Sequence, residues 1–209
     1  DVRGNSGGSD AYWERVLVSP LISRRVAMNF YVVFRSGKYI QDFAKHVLGA
    51  GYFFLRVDRS KLEGRPNVPQ ELFTEEFLDP IRLPRFISPN KPVGFSGDIV
   101  LLVDDMVYSS TETFAAFCKA TGWATLVGTQ TGGDGVGITP VFFSLPNSKL
   151  VIRMTQNMGL NPDGSANDEL KTVPDVFVEA DPAEYIELLE LLSQNGLGLG
   201  KVHPEYDRI

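Results

Sequence analysis

Residues 97–135 constrain the fold of this 209-residue chain more than any other stretch, because strands and a helix follow one another there without a spacer. The stretch opens with residues 99–103 (IVLLV), and an apolar run without alternation is typical of a strand buried on both faces. A helix follows, with side chains at helical spacing at Phe114, Phe117, Cys118 and Thr121. Gly122 ends this helix, and residues 123–127 (WATLV) supply the next buried strand. This order predicts a layered α/β fold.

Ser109 and Ser110 lie at the junction where the first of these strands leads into the helix. Ligands in α/β folds usually bind at the carboxyl ends of strands, and unpaired backbone N–H groups point outward at the amino ends of helices. A serine at this junction can therefore be a nucleophile. A second interpretation stays open, because Ser109 and Glu112 also match the S-x-x-E capping box, in which the serine only caps the helix.

The overall composition predicts a single domain with a sizeable core, since 43% of the residues are hydrophobic. The formal net charge is −6 and no basic cluster occurs, so the electrostatic footprint of a nucleic-acid-binding protein is missing from the sequence. Apolar runs such as residues 26–34 are far shorter than the ~20 residues of a membrane span. We therefore predict no nucleic-acid partner and no membrane span within these residues.

Side chains that commonly bind metals are scattered along the sequence. No cluster of cysteine and histidine suits zinc, and Cys118 lies on the apolar stripe of the helix, where we predict a small core residue. The glycine-rich loop at residues 132–137 has a rival interpretation as a phosphate cradle, but no lysine follows it and it joins a strand to a hairpin. We predict neither a metal nor a cofactor.

Helices and strands are predicted along the rest of the chain from periodicity and capping residues. Helices are expected at residues 9–17, at residues 36–49 and from Asp181 onward; strands are expected at 24–35 and 175–178, and a hairpin at 140–144 and 149–155. His46 lies off the apolar stripe of its helix and His203 lies in the tail, so neither is predicted to be catalytic. Residues 157–171 are predicted to be a polar loop, and residues 196–209 a loosely ordered tail.

Prolines interrupt residues 57–95 repeatedly, which predicts an irregular segment with one short helix inside residues 69–80. A long irregular segment in a compact domain is uncommon unless it covers something. It can be the lid or wall of a substrate cleft, or a surface loop held down by apolar side chains, and the sequence leaves both interpretations open.

Five ordered motifs resemble one family of serine peptidases. They are DVRGNSGGS at residues 1–9, YSSTETF at 108–114, GWATLVGTQTGGDG at 122–135, LPNSKLVIRMT at 145–155, and NPDG followed by VPDVFVEAD at 161–181. In this order they resemble the tail-specific, or C-terminal-processing, proteases together with the tricorn core peptidases. Each motif alone is weak, but five in order along nearly the whole chain are specific.

The resemblance implies a ββα fold of the kind shared by the Clp protease and crotonase group, and an acyl-enzyme mechanism. The nucleophile of the family lies three residues before the glutamate of its S-x-x-E segment, which is Ser109 here and would also cap the helix. The resemblance further implies an oxyanion hole made by the N–H of Ser110 and an N–H of Gly7 or Gly8.

The general base separates two branches of this family. Tail-specific members carry a lysine in the loop after the nucleophile, where this chain has Asp134, so a Ser/Lys dyad is not expected. Tricorn-like members use a histidine from an upstream segment, oriented through a carboxylate. The pattern E-x-x-G-x-x-P-D places that carboxylate at Asp168 or Glu169, although Lys171 occupies the place of its glycine.

We therefore expect one peptidase core domain over residues 1–209, the C-terminal part of a longer protein, with its base outside this chain and little activity alone. Extended peptides or proteins are the expected substrates, and the family favours an extracytoplasmic location. The oligomeric state stays open. Two alternatives are a catalytically inactive binding module, like the related interphotoreceptor retinoid-binding repeats, and an acyl-CoA enzyme on the same scaffold.

Overall fold

The computed structural model describes residues 1–138 and 140–179, together with Glu187 and Leu191. The helices of this described part are α1 (Asp10–Tyr12), α2 (Ile40–Leu48), α3 (Gly51–Phe54), α4 (Ser110–Thr121) and α5 (Asn167–Leu170). Its strands are β1 (Val26–Phe34), β2 (Ile81–Ile87), β3 (Val100–Val103), β4 (Thr125–Gly128), β5 (Val141–Ser144), β6 (Val151–Met154), β7 (Asn157–Leu160) and β8 (Val176–Phe177). The predicted helix from Asp181 and the tail at residues 196–209 lie outside the described residues.

The chain forms two compact units, each assembled from separate segments. The first unit contains Asp1–Met28, Pro84–Gly135 and the described residues from Asp168 onward, and the second contains Asn29–Leu83 and Val136–Asn167. The prediction of one domain over residues 1–209 stays a prediction. No helix in the described part of the chain is both long enough and apolar enough to cross a membrane.

A parallel sheet in the order β3-β4-β8 forms the centre of the first unit. The register pairs Val100 with Thr125 and Val127 with Val176. Helix α4 connects β3 to β4, as the sequence predicts, because parallel neighbours need a crossover connection. The predicted strand, helix and strand of residues 97–135 are thus confirmed to within a few residues.

Aromatic rings hold α4 in the first unit. Trp13 stacks on Phe114 with ring centroids 5.2 Å apart, and lies 5.2 Å from Phe117 in a tilted arrangement. Trp123 packs against the same two phenylalanines. Cys118 is fully buried on this helix, which confirms its prediction as a core residue.

The second unit is built around strand β1. Strand β7 pairs with it antiparallel from Tyr31 opposite Leu160 to Phe34 opposite Asn157, and β2 lies on its other side. The two faces of β1 feed separate cores: Tyr31 and Val33 enter one, and Val32 enters the other. This alternation is expected of a strand whose successive side chains point to opposite faces.

Several predicted elements take another form. Residues 157–171, predicted as loop, contain β7 and α5, and the irregular segment 57–95 contains β2. Pro84 is tolerated within β2 because this strand is at the edge of its sheet. The helix predicted within residues 69–80 is only a 3-10 turn, Gln70–Phe73. After α1 the predicted first helix continues as a π-helical turn, Trp13–Val18.

Two other predictions of the second unit are confirmed. Strands β5 and β6 pair antiparallel, with Val141 opposite Met154, as the predicted hairpin requires. His46 is exposed on α2, whose Ile40, Phe43, Ala44 and Leu48 pack into the core.

Candidate active site

Ser109 lies at a sharp corner between β3 and α4. Its backbone has φ 57° and ψ −127°, a conformation that residues with a side chain rarely adopt. Such a backbone is a recurring feature of functional sites, and in α/β-hydrolases a sharp strand-to-helix turn presents the nucleophilic serine. The corner therefore has the geometry expected where a side chain must be presented rather than packed.

The prediction that Ser109 also caps α4 is wrong, because its side chain makes no capping hydrogen bond. An N-cap serine normally has an extended backbone and accepts from the second or third N–H of the helix. In this chain the N–H groups of Thr111 and Glu112 donate to the carbonyl oxygen of Tyr108, at 3.2 and 3.4 Å. The Ser109 hydroxyl is left available for other chemistry.

Two backbone amides near this corner have no acceptor among the described residues. One is the N–H of Ser110, the first residue of α4, and the other is the N–H of Gly8. The N–H of Gly7, by contrast, donates to Asn5 Oδ1 at 3.0 Å. Of the two glycines predicted for the oxyanion hole, only Gly8 keeps its N–H unoccupied.

The glycine turn of residues 1–9 is attached to the end of β3. The N–H of Val2 donates to the carbonyl of Leu102 at 3.1 Å, and the N–H of Gly4 contacts the Asp104 carboxylate at 3.0 Å. Gly7 has φ 133°, and a Cβ placed on it would lie 2.9 Å from Ser109 Cβ and 3.3 Å from Ser109 Oγ. The turn thus contacts the serine closely, and only glycine fits there without strain.

The loop after β4 runs along the other side of the corner. The N–H of Ser109 donates to the carbonyl of Gly133 at 3.4 Å. The hydroxyl of Tyr108 donates to the Asp134 carboxylate, and Asp134 has a left-handed backbone with φ 53°. The side chain that replaces the lysine of the tail-specific pattern is therefore engaged by the tyrosine that precedes Ser109.

Asp168 and Glu169 are exposed residues of α5. The Asp168 carboxylate accepts a hydrogen bond from the backbone N–H of Asp134, which brings it to the loop beside Ser109. Although the residue as a whole is exposed, its carboxylate is partly enclosed; this desolvation raises the pKa of Asp168, and the negative charges of Asp134 and Glu169 raise it further. The Glu169 side chain has no hydrogen-bond partner among the described residues.

Glu112 contributes to the site in a way that the capping-box pattern does not predict. Its side chain is fully buried, and Oε1 accepts a hydrogen bond from Thr172 Oγ1 at 2.7 Å. The N–H of Thr172 in turn donates to Thr131 Oγ1 at 2.9 Å. These contacts connect the segment after Asp168 to the start of α4, and the sequence carries no local signal for them because they join residues 60 apart.

A general base for Ser109 is missing from the described residues. No described histidine or lysine side chain is hydrogen-bonded to Ser109 Oγ. His46 is exposed on α2, and His203 lies outside the described residues. The described part of the chain also contains no group of three metal-binding side chains. The corner thus combines a hydroxyl, two unoccupied amides and a carboxylate, which are the parts needed to attack a carbonyl except for the base.

The family model described as peptidase family S41 matches residues 1–178 of the chain. No curated protein sequence matches the chain. The structure of a candidate peptidase from Parabacteroides merdae is 20% identical, with 96% of this chain and 51% of that chain covered at a TM-score of 0.59. Mature CPAF complexed with lactacystin is 18% identical, with 94% and 43% covered at a TM-score of 0.61. At these identities the likeness shows a shared fold. The chain spans about half the length of these structures.

Proposed function

The chain belongs to peptidase family S41, and we propose that it carries the nucleophile and oxyanion hole of a serine endopeptidase that hydrolyses peptide bonds in extended peptides or proteins. The observation that carries this proposal is the Ser109 corner. Its hydroxyl is released from capping, and the N–H groups of Gly8 and Ser110 are unoccupied beside it. These groups support acyl transfer.

The proposed reaction proceeds through an acyl-enzyme. Ser109 Oγ attacks the peptide carbonyl carbon while the base takes the hydroxyl proton, and the resulting oxyanion accepts hydrogen bonds from Gly8 and Ser110. The base then gives its proton to the leaving amine as the C–N bond breaks. Water attacks the acyl-enzyme by the same route, which releases the acid product and restores the Ser109 hydroxyl.

We assign the orienting carboxylate to Asp168 rather than to Glu169. Asp168 contacts the Asp134 amide in the loop beside Ser109, whereas the Glu169 side chain has no hydrogen-bond partner among the described residues. Lys171, at the position of the family's glycine, has φ 53°, a backbone conformation that favours glycine. This supports the alignment in which Asp168 matches the family's acid.

The base is proposed to be a histidine outside residues 1–209, as in the tricorn-like branch. Asp134 occupies the position of the lysine that serves as the base in the tail-specific branch. Its carboxylate accepts a hydrogen bond from the Tyr108 hydroxyl and cannot replace the lysine amine as a base. The 209-residue chain by itself is then expected to hydrolyse peptides very slowly or not at all, since a serine hydroxyl without a base is a poor nucleophile.

The test is covalent labelling of the full-length protein with a fluorophosphonate probe, followed by mass spectrometry. The expected result is one label on Ser109, lost in Ser109→Ala and kept in the control Ser36→Ala, whose hydroxyl donates to Glu75 in the second unit. Lactacystin, found in complex with mature CPAF, is a second probe for the same serine. An intact protein that takes up neither probe contradicts the proposal and favours the inactive binding module.

A further inference from the structure

Asp10 connects the glycine turn to the start of the nucleophile helix. This residue begins α1, directly after the turn that contains Gly7 and Gly8. Its Oδ1 accepts a hydrogen bond from Ser110 Oγ at 2.6 Å, across 100 residues of sequence. Ser110 is the residue after the proposed nucleophile and carries one of the two unoccupied amides. The contact thus joins the two segments that supply the proposed oxyanion hole.

Arg85 holds the other oxygen of this carboxylate. Its Nη2 donates to Asp10 Oδ2, and its Nη1 donates to Glu14 Oε1 at 2.9 Å. The Asp10, Glu14 and Arg85 side chains are only 28%, 24% and 29% exposed, so they are partly shielded from water. Because Glu14 fixes the Arg85 guanidinium, the charge-assisted hydrogen bond from Arg85 restricts the rotation of the Asp10 carboxylate. It thereby also restricts the position of Ser110.

The part of the turn before Gly7 and Gly8 has its own attachment to α4. Asn5 Oδ1 accepts from the N–H of Gly7 at 3.0 Å and from Thr111 Oγ1 at 2.8 Å. The Asn5 carbonyl accepts from the N–H of Tyr108 at 3.3 Å. The turn is therefore fixed on both sides to consecutive residues of α4: Asn5 binds Thr111, and Asp10 binds Ser110.

We propose that Asp10, restrained by Arg85, is a positioning residue that sets the spacing between the N–H groups of Gly8 and Ser110. This inference rests on the proposed function. Donors aimed at a developing oxyanion are effective only when they are held in place before the reaction, and a shift of about 1 Å can cost roughly 100-fold in rate. Loss of the Asp10 contact releases one end of the turn, while the Asn5 contact keeps it near the helix.

The experiment measures the rate constant of fluorophosphonate labelling and the kcat and KM for a peptide substrate in the full-length protein. Asp10→Ala and Ser110→Ala are each expected to lower the labelling rate and kcat about tenfold or more, with KM changed less than about threefold. The double variant is expected to be no slower than the slower single variant, because both changes remove the same contact. Ser110→Thr keeps a hydroxyl at this position, so its labelling rate is expected to lie much closer to the wild-type rate than that of Ser110→Ala.

Lys119→Met is the matched control, because it removes an ion pair with Asp175 at the opposite end of the same helix. Its labelling rate is expected to stay within about twofold of the wild-type rate.

Additive losses in Asp10→Ala and Ser110→Ala, or a wild-type rate in folded Ser110→Ala, overturn the inference. If wild-type protein shows no Ser109-dependent labelling, the proposed function itself has failed; normal labelling in both variants rejects only the positioning role. Ser110→Ala removes a single oxygen, so it tests the contact even if Asp10→Ala does not fold.

Discussion

Gly7 and Ser109 depend on each other at the scale of single residues. Ser109 adopts a positive φ that a side chain tolerates poorly, and Gly7 packs directly against it. Strained backbone of this kind costs about 1–3 kcal/mol and persists only where the surrounding structure holds it. The hydrogen bonds of Asn5, the loop carbonyl of Gly133 and the Asp10–Ser110 contact all help to hold this corner.

Gly7→Ala is expected to lower kcat/KM by roughly 100-fold, because the new Cβ would lie 2.9 Å from Ser109 Cβ and displace the proposed nucleophile. The measurement is peptide hydrolysis by the full-length protein. Gly4→Ala is the control: its φ is 72° but no atom lies within 4 Å of the new Cβ, so it has the backbone cost without the collision. Equal losses in both variants would show that contact with Ser109 is unimportant.

Asp168 is expected to determine the acid side of the pH profile. Its pKa is raised, mainly by burial and then by the charges of Asp134 and Glu169, so it takes up a proton at a higher pH than an ordinary aspartate. Asp134→Asn removes one of these charges and is expected to move the acid limb of kcat/KM to lower pH. An acid limb that does not move in Asp134→Asn would contradict this electrostatic coupling.

The stability effect of Asp168 has the opposite sign to its expected role in activity. The pKa of Asp168 is higher in the folded state than in the unfolded state. In the pH range between these two pKa values, the folded state therefore keeps a proton that the unfolded state has lost. This group therefore favours folding as the pH falls through the folded-state pKa, and disfavours it above that pH. Asp168→Asn should lose activity at pH 7 without losing stability in urea unfolding.

Helix α4 is positioned by its aromatic contacts at the scale of elements. Its rings at Phe114 and Phe117 pack between Trp13 and Trp123, which come from segments before and after it. The helix begins at Ser110, directly after Ser109, so packing along its length determines where the Ser109 corner lies. The buried Glu112 adds a second attachment through Thr172.

Phe117→Ala is expected to lower the free energy of unfolding by about 3–5 kcal/mol, since the ring is fully buried and its loss leaves a cavity. Urea denaturation of the same protein measures this change. Phe177→Ala in β8 is the control, because that ring is 67% exposed and its loss should cost about 1 kcal/mol or less. Similar losses for both rings would mean that the cluster around α4 is not a main source of stability.

At the scale of the whole molecule, the family match over residues 1–178 confirms the resemblance to the tail-specific peptidases, and the α/β fold is shared with solved structures of about twice its length. The first unit holds Ser109, Gly8 and Asp168. The proposed histidine base belongs to none of the described residues. Activity is therefore a property expected of the full-length protein.

Replacing both histidines of this chain, His46→Gln with His203→Gln, is expected to leave kcat/KM of the full-length protein within about twofold of wild type. His46 is exposed on α2, and the base is proposed to lie outside these 209 residues. Steady-state hydrolysis of a peptide measures the effect, with the two single variants as controls. A loss of more than 100-fold in His203→Gln would place the base within the chain instead.

Local patterns were sufficient for the strand, the turn at Ser109 and the helix that follows it, and insufficient for β7. The run at residues 99–103 and the helical spacing of Phe114 and Phe117 need no knowledge of distant residues. Gly159 weakens the strand pattern of β7, yet a Cβ there would lie 1.3 Å from the Val136 carbonyl oxygen. The glycine is required by a backbone neighbour 23 positions away, and no periodicity records that contact.

Sequence alone determined the buried strand, the turn at Ser109, the helix that follows and membership of the peptidase family, because all of these depend on residue types at short and ordered spacings. Only the tertiary structure decided which hydrogen-bond donor pairs with which acceptor. It showed that Ser109 does not cap its helix, that Gly7 donates to Asn5 while Gly8 does not, and that Asp168 reaches the Asp134 amide. These choices are made by contacts between segments far apart in sequence, whose geometry exists only after the chain has folded.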